Sequence, residues 1–251
     1  MYHDKTIGVV IPAHNEEQSI ALVVQELVET GLIDKIIVCD NASSDTTAAT
    51  ARAAGALVVS EAEKGYGAAC LKAMAELTDV DCTVFVDGDH SVCASELPIL
   101  LDAWLAGAEL VIGSRTLGEM EQGALTPHQR WGNRLASFLL TTLWSTPVTD
   151  LGPYRAMGTD ALQALAMQER TYGWTVEMQA KALAAGLTVA EVPVTSLRRI
   201  GVSKVSGTWR GSVGAAIGIL TTIAKIGGPS LWARLRARLS GSTKSSLPVD
   251  T

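Results

Sequence analysis

Short apolar runs alternate with helix-forming segments through the first 115 residues, and this alternation limits the fold more than any other feature of the chain. Helical patterns begin near Glu16, with Asn15 as the N-cap, and recur over residues 44–54, 67–77 and 95–106. The strand-like runs cover residues 6–11, 35–39, 56–60, 82–86 and 109–113. Because strands separated by helices of this length are typical of βαβ units, we predict an α/β fold with a central, mostly parallel sheet flanked by helices.

The second half of the chain is less regular. Its predicted elements are helices over residues 128–143 and 175–185, a turn and strand over 150–157, and a strand over 188–194. A helix rich in small residues would follow and pack on its own domain or on a second subunit to form a homodimer. The predicted units are a domain of residues 1–207, C-terminal helices over 208–239 and a polar, disordered tail over 240–251. The domain is divided into halves 1–115 and 116–207, and the small-residue helix of the C-terminal segment covers 208–226.

Polar residues follow three of the predicted strands at their carboxyl ends. They are Pro12–Glu16, Asp40–Ser43 and Asp87–Asp89. Ligands of parallel α/β sheets bind outside the carboxyl ends of the strands, so we expect these residues to meet at one binding edge. No GxGxxG motif follows the first strand and no GxxxxGK[ST] motif is present, which argues against a dinucleotide-binding fold and a P-loop enzyme.

The segment Asp87-Gly88-Asp89 comes directly after an apolar strand. Two carboxylates one residue apart, on a backbone that glycine allows to turn sharply, can hold a hard divalent cation against phosphate oxygens. An Asp-Gly pair is also a common turn dipeptide, so the motif alone leaves a plain β-turn open. His90 and His128 are further candidate metal ligands, and an ordinary hydrogen bond is the alternative for each.

The charged residues are unevenly distributed around a net charge of −6. Residues 1–194 carry −14, whereas residues 195–251 carry +8. The acidic body and the low content of Phe and Tyr argue against nucleic-acid binding, because duplex binders need a basic face and single-strand binders need stacking platforms. The basic C-terminal segment would instead meet a phosphate or a lipid headgroup. The four cysteines lack a CxxC pair and are expected to be buried free thiols of a reducing compartment.

Nine segments spread over residues 5–225 form a recognisable series. They are IPAHNEE, CDNASSD, EKGYGAA, FVDGDHS, VIGSR, TDLGPYRAM, YGWTVEMQ, EVPV and RRIGVSKVSGTWRG. In this order they resemble the family 2 inverting glycosyltransferases, and within them the branch of dolichyl- and polyprenyl-phosphate sugar transferases. The resemblance implies the Rossmann-like GT-A fold, a UDP- or GDP-sugar donor and a Mg²⁺ or Mn²⁺ cofactor.

The resemblance also implies roles for individual residues. Asp87 and Asp89 would form the DxD pair, with Asp89 the direct metal ligand, and Arg199 and Lys204 would fold over phosphate groups as part of the catalytic set. His14 stands where the family usually has Tyr. The residues implied to border the nucleotide sugar are Pro12, Ala13, Asn15, Glu16, Asp40, Ala42, Lys64, Gly65, Asp87, Gly88 and Asp89.

The need for a catalytic base depends on the acceptor. Transfer to a hydroxyl requires a carboxylate that removes the proton, whereas a phosphate oxygen is already anionic at pH 7. We predict Asp150 as the acceptor-side base or phosphate-orienting residue, with Glu177 as the second candidate. The alternatives are a turn or cap for Asp150 and an exposed helix position for Glu177. Arg115 and Arg134 would either contact phosphate or form structural salt bridges.

The predicted function is metal-dependent, inverting transfer of a sugar from a nucleotide donor to a polyprenyl phosphate. A small soluble acceptor bearing phosphate or carboxylate is the alternative. A sugar nucleotidyltransferase fits less well, because it needs a basic glycine-rich loop where HNEE is acidic. A catalytically dead binding partner also fits less well, because the Asp87, Asp89, Arg199 and Lys204 side chains are all retained.

The sequence also bears on where the protein acts. The apolar run 7–11 and the uncharged stretch 211–224 are too short for a signal peptide core and a membrane span, respectively. We expect a cytoplasmic protein with peripheral contact at the inner face of the membrane. Residues 231–239, LWARLRARL, interleave apolar and Arg side chains and suit that interface.

Overall fold

The computed structural model describes residues 2–201 and 217–228. In chain order the elements are β1 (Ile7–Ala13), α1 (Ile20–Glu29), β2 (Lys35–Asp40), α2 (Thr47–Ala53), β3 (Leu57–Ser60), α3 (Tyr66–Glu76), β4 (Cys82–Phe85), a 3-10 turn (Ala94–Glu96), α4 (Leu97–Leu105), β5 (Leu110–Ser114), α5 (Pro127–Trp144), β6 (Arg155–Gly158), α6 (Thr159–Ala164), α7 (Trp174–Ala185) and β7 (Val189–Pro193). Residues 217–228 are also helical.

The strands form one sheet in the order β3-β2-β1-β4-β6-β5-β7. Strands β1, β2, β3 and β4 pair in parallel, and so do β5 and β7. Strand β6 is inserted antiparallel between β4 and β5. Every residue of β1 is buried, as expected for a central strand covered on both faces. The predicted α/β fold with a mostly parallel sheet flanked by helices is confirmed.

Apolar layers cover both faces of the sheet. Val9 of β1 belongs to a core cluster shared with α1 and α4, whereas the next residue, Val10, belongs to a cluster shared with α3 and α7. Successive residues of a strand point to opposite faces, so these two clusters are the two layers. A third cluster joins α5 and α7 to Ile223, which packs the helical residues 217–228 against the domain.

Several predicted boundaries are wrong, and local backbone geometry explains the clearest case. Helix α1 begins at Ile20 with Ser19 as the N-cap, rather than near Glu16 with Asn15 as the N-cap. Asn15 has a positive φ of 54°, so the chain turns there and does not enter the helix. Helix α6 was not predicted at all. The last described helix continues to residue 228, directly before Pro229, instead of ending at 226.

The four cysteines are free thiols. Cys39, Cys70 and Cys82 are buried as predicted, while Cys93 is partly exposed. Burial raises the pKa of Cys39 and of Cys82 to about 12, so neither is a reactive thiolate at neutral pH.

Within the two described ranges, none of the helices is both long enough and apolar enough to cross a bilayer. Three sequence predictions lie outside those ranges. They concern Lys204, the basic segment 231–239 and the tail 240–251.

Candidate active site

The order of strands along the sheet reverses between β1 and β4. Strands β1, β2 and β3 run outward in one direction, and β4 continues on the other side of β1. In open α/β sheets the crevice at such a reversal is the ligand site. A cavity of about 540 Å³, the first cavity, opens at this edge. It is lined by Pro12, Ala13, His14, Glu16, Asn41, Lys64, Gly65, Tyr66, Ala69, Asp87, Gly88, Asp89, Thr171, Tyr172 and Arg199.

The turn that carries Asp87 and Asp89 is fixed by hydrogen bonds. The Tyr66 hydroxyl donates to Asp87 Oδ1 at 2.9 Å, and the Ser91 backbone N–H donates to Asp89 Oδ1 at 3.0 Å. Ser19 Oγ, at the start of α1, donates to the Gly88 carbonyl at 2.8 Å. The two carboxylates are therefore held in place on the cavity wall.

The electrostatics of this turn favour a cation. Removal from water and, next in size, the negative charge of Asp89 raise the pKa of Asp87 to about 6, although Tyr66, Arg199 and Arg115 act in the opposite direction. The Arg199 guanidinium forms an ion pair with Asp89 Oδ2 at 2.5 Å. The described structure thus already balances part of this acidic pair with a positive charge.

Backbone pairing brings Arg199 to the turn. The Leu197 N–H donates to the Ser91 carbonyl at 2.9 Å, and the Ile200 N–H donates to the Asp89 carbonyl at 3.0 Å. The segment around Arg199 therefore runs directly beside the Asp-Gly-Asp turn. The structure places Arg199 against Asp89, an ion pair that was not predicted from the sequence, while Lys204 lies outside the described residues.

Three predicted nucleotide-sugar contacts do not line the first cavity. Asn15 Oδ1 accepts a hydrogen bond from the Ser44 N–H at 2.8 Å, and Asp40 Oδ1 accepts one from the Ser43 N–H at 3.3 Å. Ala42 has a positive φ of 55°. These residues shape the loop that follows β2, and the wall itself is formed instead by the neighbouring Asn41.

Asn41, Tyr66 and Tyr172 line the cavity although the sequence analysis did not select them. Asn41 connects the end of β2 to the loop before α3, because its Nδ2 donates to the carbonyls of Glu61 and Glu63 and its Oδ1 accepts from the Gly65 N–H. Asn41 and Tyr66 lie inside the segments CDNASSD and EKGYGAA, so proximity to selected residues was an available signal. Tyr172 begins the segment YGWTVEMQ, which also contains Glu177, so the same signal was available for it.

Asp150 is fully buried and completely engaged by Arg115. Its Oδ2 accepts from the Arg115 backbone N–H at 2.8 Å and from Nε at 2.9 Å, while Oδ1 accepts from the terminal guanidinium nitrogen at 2.8 Å. The carboxylate therefore holds the Arg115 guanidinium in place. The role of Asp150 as acceptor-side base or phosphate-orienting residue stays a prediction, and an orienting effect would act through Arg115.

Glu177 is also buried, with 5% of its surface exposed. Its carboxylate accepts from the backbone N–H groups of Gln168 at 3.1 Å and Glu169 at 2.7 Å, and it pairs with Lys181 at 2.8 Å. The alternative of an exposed helix position is therefore wrong for this residue, which holds a loop in place, while its catalytic role stays a prediction.

Neither candidate histidine lines the first cavity. His90 Nε2 contacts Glu26 at 2.6 Å, and the exposed His128 contacts the Thr126 hydroxyl at 3.2 Å. Among residues 2–201 and 217–228, no three His, Cys, Asp or Glu side chains group to form a metal site. A cation at Asp87 and Asp89 would need ligands from a bound molecule or from water.

A second cavity of about 560 Å³ lies in the C-terminal half. It combines cationic and apolar walls, and Ser137 Oγ is buried there without a hydrogen-bond partner among the described residues. Arg115 connects the two sites, because it lines this cavity while its charge lowers the pKa of Asp87. The lining residues are Arg115, Thr116, Gly118, Met120, Leu125, Arg130, Asn133, Arg134, Ser137, Phe138, Val148 and Thr149.

Comparison with solved structures identifies the fold. The glucosyl-3-phosphoglycerate synthase from Mycobacterium tuberculosis, in complex with Mn²⁺, uridine diphosphate and phosphoglyceric acid, has a TM-score of 0.73 to this chain. The match covers 90% of this chain and 79% of the synthase at 24% sequence identity. At that identity the likeness shows the fold, which is GT-A.

Comparison with known sequences identifies the family. An uncharacterized glycosyltransferase of Mycobacterium tuberculosis is 35% identical over 212 residues, 82% of this chain and 93% of the relative. The undecaprenyl-phosphate mannosyltransferase of Micrococcus luteus is 32% identical over 245 residues, 92% of this chain and 97% of the relative. The dolichyl-phosphate hexose transferase of Haloferax volcanii is 32% identical over 224 residues, 84% and 90% of the two chains. A model described as Glycosyl transferase family 2 matches residues 8–164. The chain therefore belongs to glycosyl transferase family 2 and is a glycosyltransferase of the GT-A fold.

Proposed function

We propose that this enzyme transfers a hexose, with inversion at the anomeric carbon, from a UDP- or GDP-sugar to a polyprenyl phosphate with the help of Mg²⁺ or Mn²⁺. The observation that carries the proposal is a pair of cavities of different character, with Arg115 of the second close enough to Asp87 of the first to lower its pKa. The first holds Asp87 and Asp89, and the second holds a group of arginines beside an apolar wall. Two relatives carry polyprenyl phosphates in their names, the undecaprenyl-phosphate mannosyltransferase and the dolichyl-phosphate hexose transferase.

The first cavity fits a divalent cation together with a diphosphate. Asp87 and Asp89 offer hard carboxylate oxygens, and Asp89 already stabilises one positive charge, that of Arg199. Mg²⁺ usually takes one or two carboxylates and completes its shell with phosphate oxygens and water, which suits a site of two acids. The bound cation would neutralise the charge that develops on the departing nucleoside diphosphate.

The residues around this pair would hold the donor. Lys64 is exposed on the cavity wall and offers a mobile point charge to phosphate, while the Arg199 guanidinium offers a fork of donors. Arg199 would exchange its contact with Asp89 for a contact with the diphosphate. Pro12, Ala13 and Glu16 would border the nucleoside, because they follow β1 at the strand-order reversal.

The second cavity fits the acceptor. Arg115 and Arg134 can bind an anionic headgroup, and Ser137 Oγ, which has no partner among the described residues, would supply a further hydrogen bond. Phe138 and Leu125 form an apolar wall for the attached hydrocarbon chain. Asp150 holds the Arg115 guanidinium from behind, so it would orient the headgroup indirectly.

The absence of an open carboxylate at the two predicted positions also favours a phosphate acceptor. Asp150 and Glu177 are both buried and ion-paired, and neither lines the first or the second cavity, which disfavours them as groups that deprotonate a hydroxyl. A phosphate oxygen needs no deprotonation at pH 7 and can attack the anomeric carbon directly.

The surface near the second cavity supports contact with a membrane. Phe138 lines the cavity and is 65% exposed, and Trp131 on the same helix is 67% exposed. Aromatic residues next to arginines suit the boundary between lipid headgroups and acyl chains. We extend the proposal to peripheral binding at the cytoplasmic face of the membrane, with residues 231–239 as a second contact. Flotation with anionic liposomes tests this extension, and a protein that stays at the bottom of the gradient contradicts it.

A small soluble acceptor with phosphate or carboxylate is the second candidate. It is favoured by the fold neighbour, whose crystal structure contains phosphoglyceric acid. The arginines of the second cavity would serve either acceptor, and the two differ in their need for the apolar wall.

The decisive experiment supplies labelled UDP- and GDP-hexoses with Mn²⁺ and either polyprenyl phosphate in detergent or soluble phosphorylated acids. The proposal expects a labelled product that extracts into organic solvent. If labelled product forms only with a soluble acid and stays in the aqueous phase, the acceptor is the second candidate and not polyprenyl phosphate. Phe138→Ser should impair only the lipid reaction.

A further inference from the structure

The loop between α6 and α7, residues 165–173, crosses from the C-terminal half to the first cavity. Two of its residues, Thr171 and Tyr172, line that cavity. Tyr172 is 39% exposed, so its ring is open to a ligand rather than packed into the core. An aromatic ring on a cavity wall offers a flat apolar face to a nucleoside or a sugar.

A single buried carboxylate fixes the start of this loop. Glu177, in the first turn of α7, accepts hydrogen bonds from the backbone N–H groups of Gln168 and Glu169. Lys181 joins the cluster, because its Nζ pairs with Glu177 at 2.8 Å and donates to the Ala166 carbonyl at 2.7 Å. Glu177 therefore satisfies the backbone donors at the start of the loop and is one of the groups that hold it in place.

The other side of the loop is bound to the N-terminus of α3. The Ala68 N–H donates to the Arg170 carbonyl at 2.8 Å, and the Gly67 N–H donates to the Thr171 carbonyl at 3.2 Å. These bonds satisfy two of the helix N–H groups that lack an intrahelical partner. The loop and α3, which together flank Lys64 and Gly65, therefore form one wall.

Two glycines permit this close approach. A Cβ atom on Gly65 would lie 2.1 Å from the Arg170 carbonyl oxygen, and one on Gly67 would lie 2.0 Å from the Glu169 carbonyl oxygen. Side chains at these positions would push the loop away from α3. The glycines of the sequence GYG thus allow the loop to pack closely against α3, and Glu177 binds the loop from the opposite side.

We propose that Tyr172 contacts the donor nucleotide sugar in the first cavity and that Glu177 is the positioning residue that keeps Tyr172 there. The inference rests on the proposed function, in that the first cavity is taken as the donor site. It gives Glu177 a role in donor binding through Tyr172, and no role in proton transfer.

The test is a double-mutant cycle with Glu177→Gln, Tyr172→Ala and the combined variant. Glutamine turns an N–H₂ group toward a backbone N–H and loses the charge that pairs with Lys181. Each single change should raise the donor KM about 10-fold, the scale of one aromatic contact to a base or sugar, and leave the acceptor KM and kcat near wild type. The combined variant should match Tyr172→Ala alone, because Glu177 acts through Tyr172.

Glu76→Gln is the matched control. Like Glu177, Glu76 pairs with a lysine on its own helix. The partner is Lys72, four residues earlier, at 2.8 Å, and the pair lies on the exposed surface of α3. It should leave the donor KM unchanged. Nucleoside diphosphate affinity, measured by calorimetry with Mn²⁺, provides a readout independent of turnover, and circular dichroism checks that Glu177→Gln folds.

Three outcomes overturn the inference. A fall in kcat at unchanged donor KM in Glu177→Gln would indicate that Glu177 takes part in proton transfer. Additive effects in the combined variant would indicate that Glu177 does not act through Tyr172, and an unchanged donor KM in Tyr172→Ala would show that Tyr172 does not contact the donor. Failure of the proposed function is distinguishable, because then the wild type itself binds neither UDP nor GDP.

Discussion

The two halves of the sheet use their acidic residues differently. In the N-terminal half, residues 1–115, Asp87 and Asp89 follow the end of a parallel strand and line the first cavity. In the C-terminal half, residues 116–201, Asp150 and Glu177 lie on either side of the antiparallel strand β6 in the sequence and are buried against partners of the molecule itself. Asp87 and Asp89 line a cavity, whereas Asp150 and Glu177 hold other groups of the protein in position.

The difference follows from topology and charge. Parallel strands deliver their carboxyl ends to one edge, where the residues that follow are open to a ligand. Burial there and, next in size, the negative charge of Asp89 raise the pKa of Asp87. Asp150 instead has Arg115 across both oxygens, and Glu177 has two backbone N–H groups and Lys181. Asp89 also has a partner, Arg199, but both residues line the first cavity, whereas neither Asp150 nor Glu177 lines it.

The largest effect that the comparison predicts is on turnover in Asp89→Ala. Loss of a carboxylate that would bind the cation should lower kcat/KM about 10³-fold, in the range seen when a group stabilising the leaving charge is removed. Release of nucleoside diphosphate from the donor measures it. Asp160→Ala, an exposed Asp in the first turn of α6, is the control and should stay near wild type. Full activity in Asp89→Ala would break the comparison.

Asp150→Ala should act on stability instead. Removal of one partner from a buried ion pair leaves Arg115 uncompensated and should lower the free energy of unfolding by about 3 kcal/mol. For a chain of this size the Tm should fall by roughly 6–12 °C. Thermal unfolding monitored by circular dichroism measures the change. If the variant kept the wild-type Tm but lost kcat, Asp150 would be a catalytic acid like those of the N-terminal half.

Arg134→Gln should separate the two cavities kinetically. Loss of one charged hydrogen bond to the acceptor should raise the acceptor KM about 10-fold and leave the donor KM unchanged, because Arg134 lines only the second cavity. Steady-state kinetics with each substrate varied in turn measure both constants. Arg52→Gln, at the exposed end of α2, is the matched control. A change in the donor KM alone would mean that Arg134 contacts the donor and not the acceptor.

The smallest predicted effect concerns the edge of the sheet opposite the site. Asp81 accepts from the Thr6 N–H and hydroxyl and pairs with Lys5, and chiefly the backbone bond lowers its pKa from 3.8 to about 2. A lowered pKa adds stability above the unfolded value, and that stability is lost as pH falls through the folded value. Asp81→Asn should therefore be slightly less stable than wild type at pH 7 and equal to it near pH 2.

Denaturant unfolding at several pH values measures the difference. Activity at pH 7 should be unchanged, since Asp81 precedes β4 at its amino end. A constant stability difference across the pH range would mean that the charge of Asp81 is not the cause.

The N-terminal half could be predicted well because the positions of its site residues depend on short sequence patterns around the ends of strands and helices. The positions of Asp87, Asp89 and Lys64 follow from the ends and beginnings of parallel strands and helices, and they line the first cavity as expected. The start of α1 was missed by four residues, because the left-handed backbone at Asn15 is not encoded in an apolar pattern. Asn15 itself binds Ser44, a contact between two loops.

The C-terminal half could not be predicted to the same depth. Asp150 looks like an active-site acid in sequence because its partner Arg115 lies on a different strand end, and only folding brings the two together. Glu177 likewise depends on backbone groups of residues 168 and 169. The family resemblance implied that Arg199 contacts phosphate, whereas its ion pair with Asp89 and the backbone pairing that produces it required the structure.

Calorimetric titration of UDP and GDP tests the central claim most directly, namely that Asp87 and Asp89 are the acids that bind a ligand through a metal ion. The titrations use wild type, Asp89→Ala and Asp150→Ala, each with and without Mn²⁺. We predict that one nucleoside diphosphate binds wild type and folded Asp150→Ala at least about 10-fold more tightly with Mn²⁺, and that Asp89→Ala loses this dependence. Equal affinity with and without Mn²⁺ in wild type, or a preserved dependence in Asp89→Ala, would contradict the account.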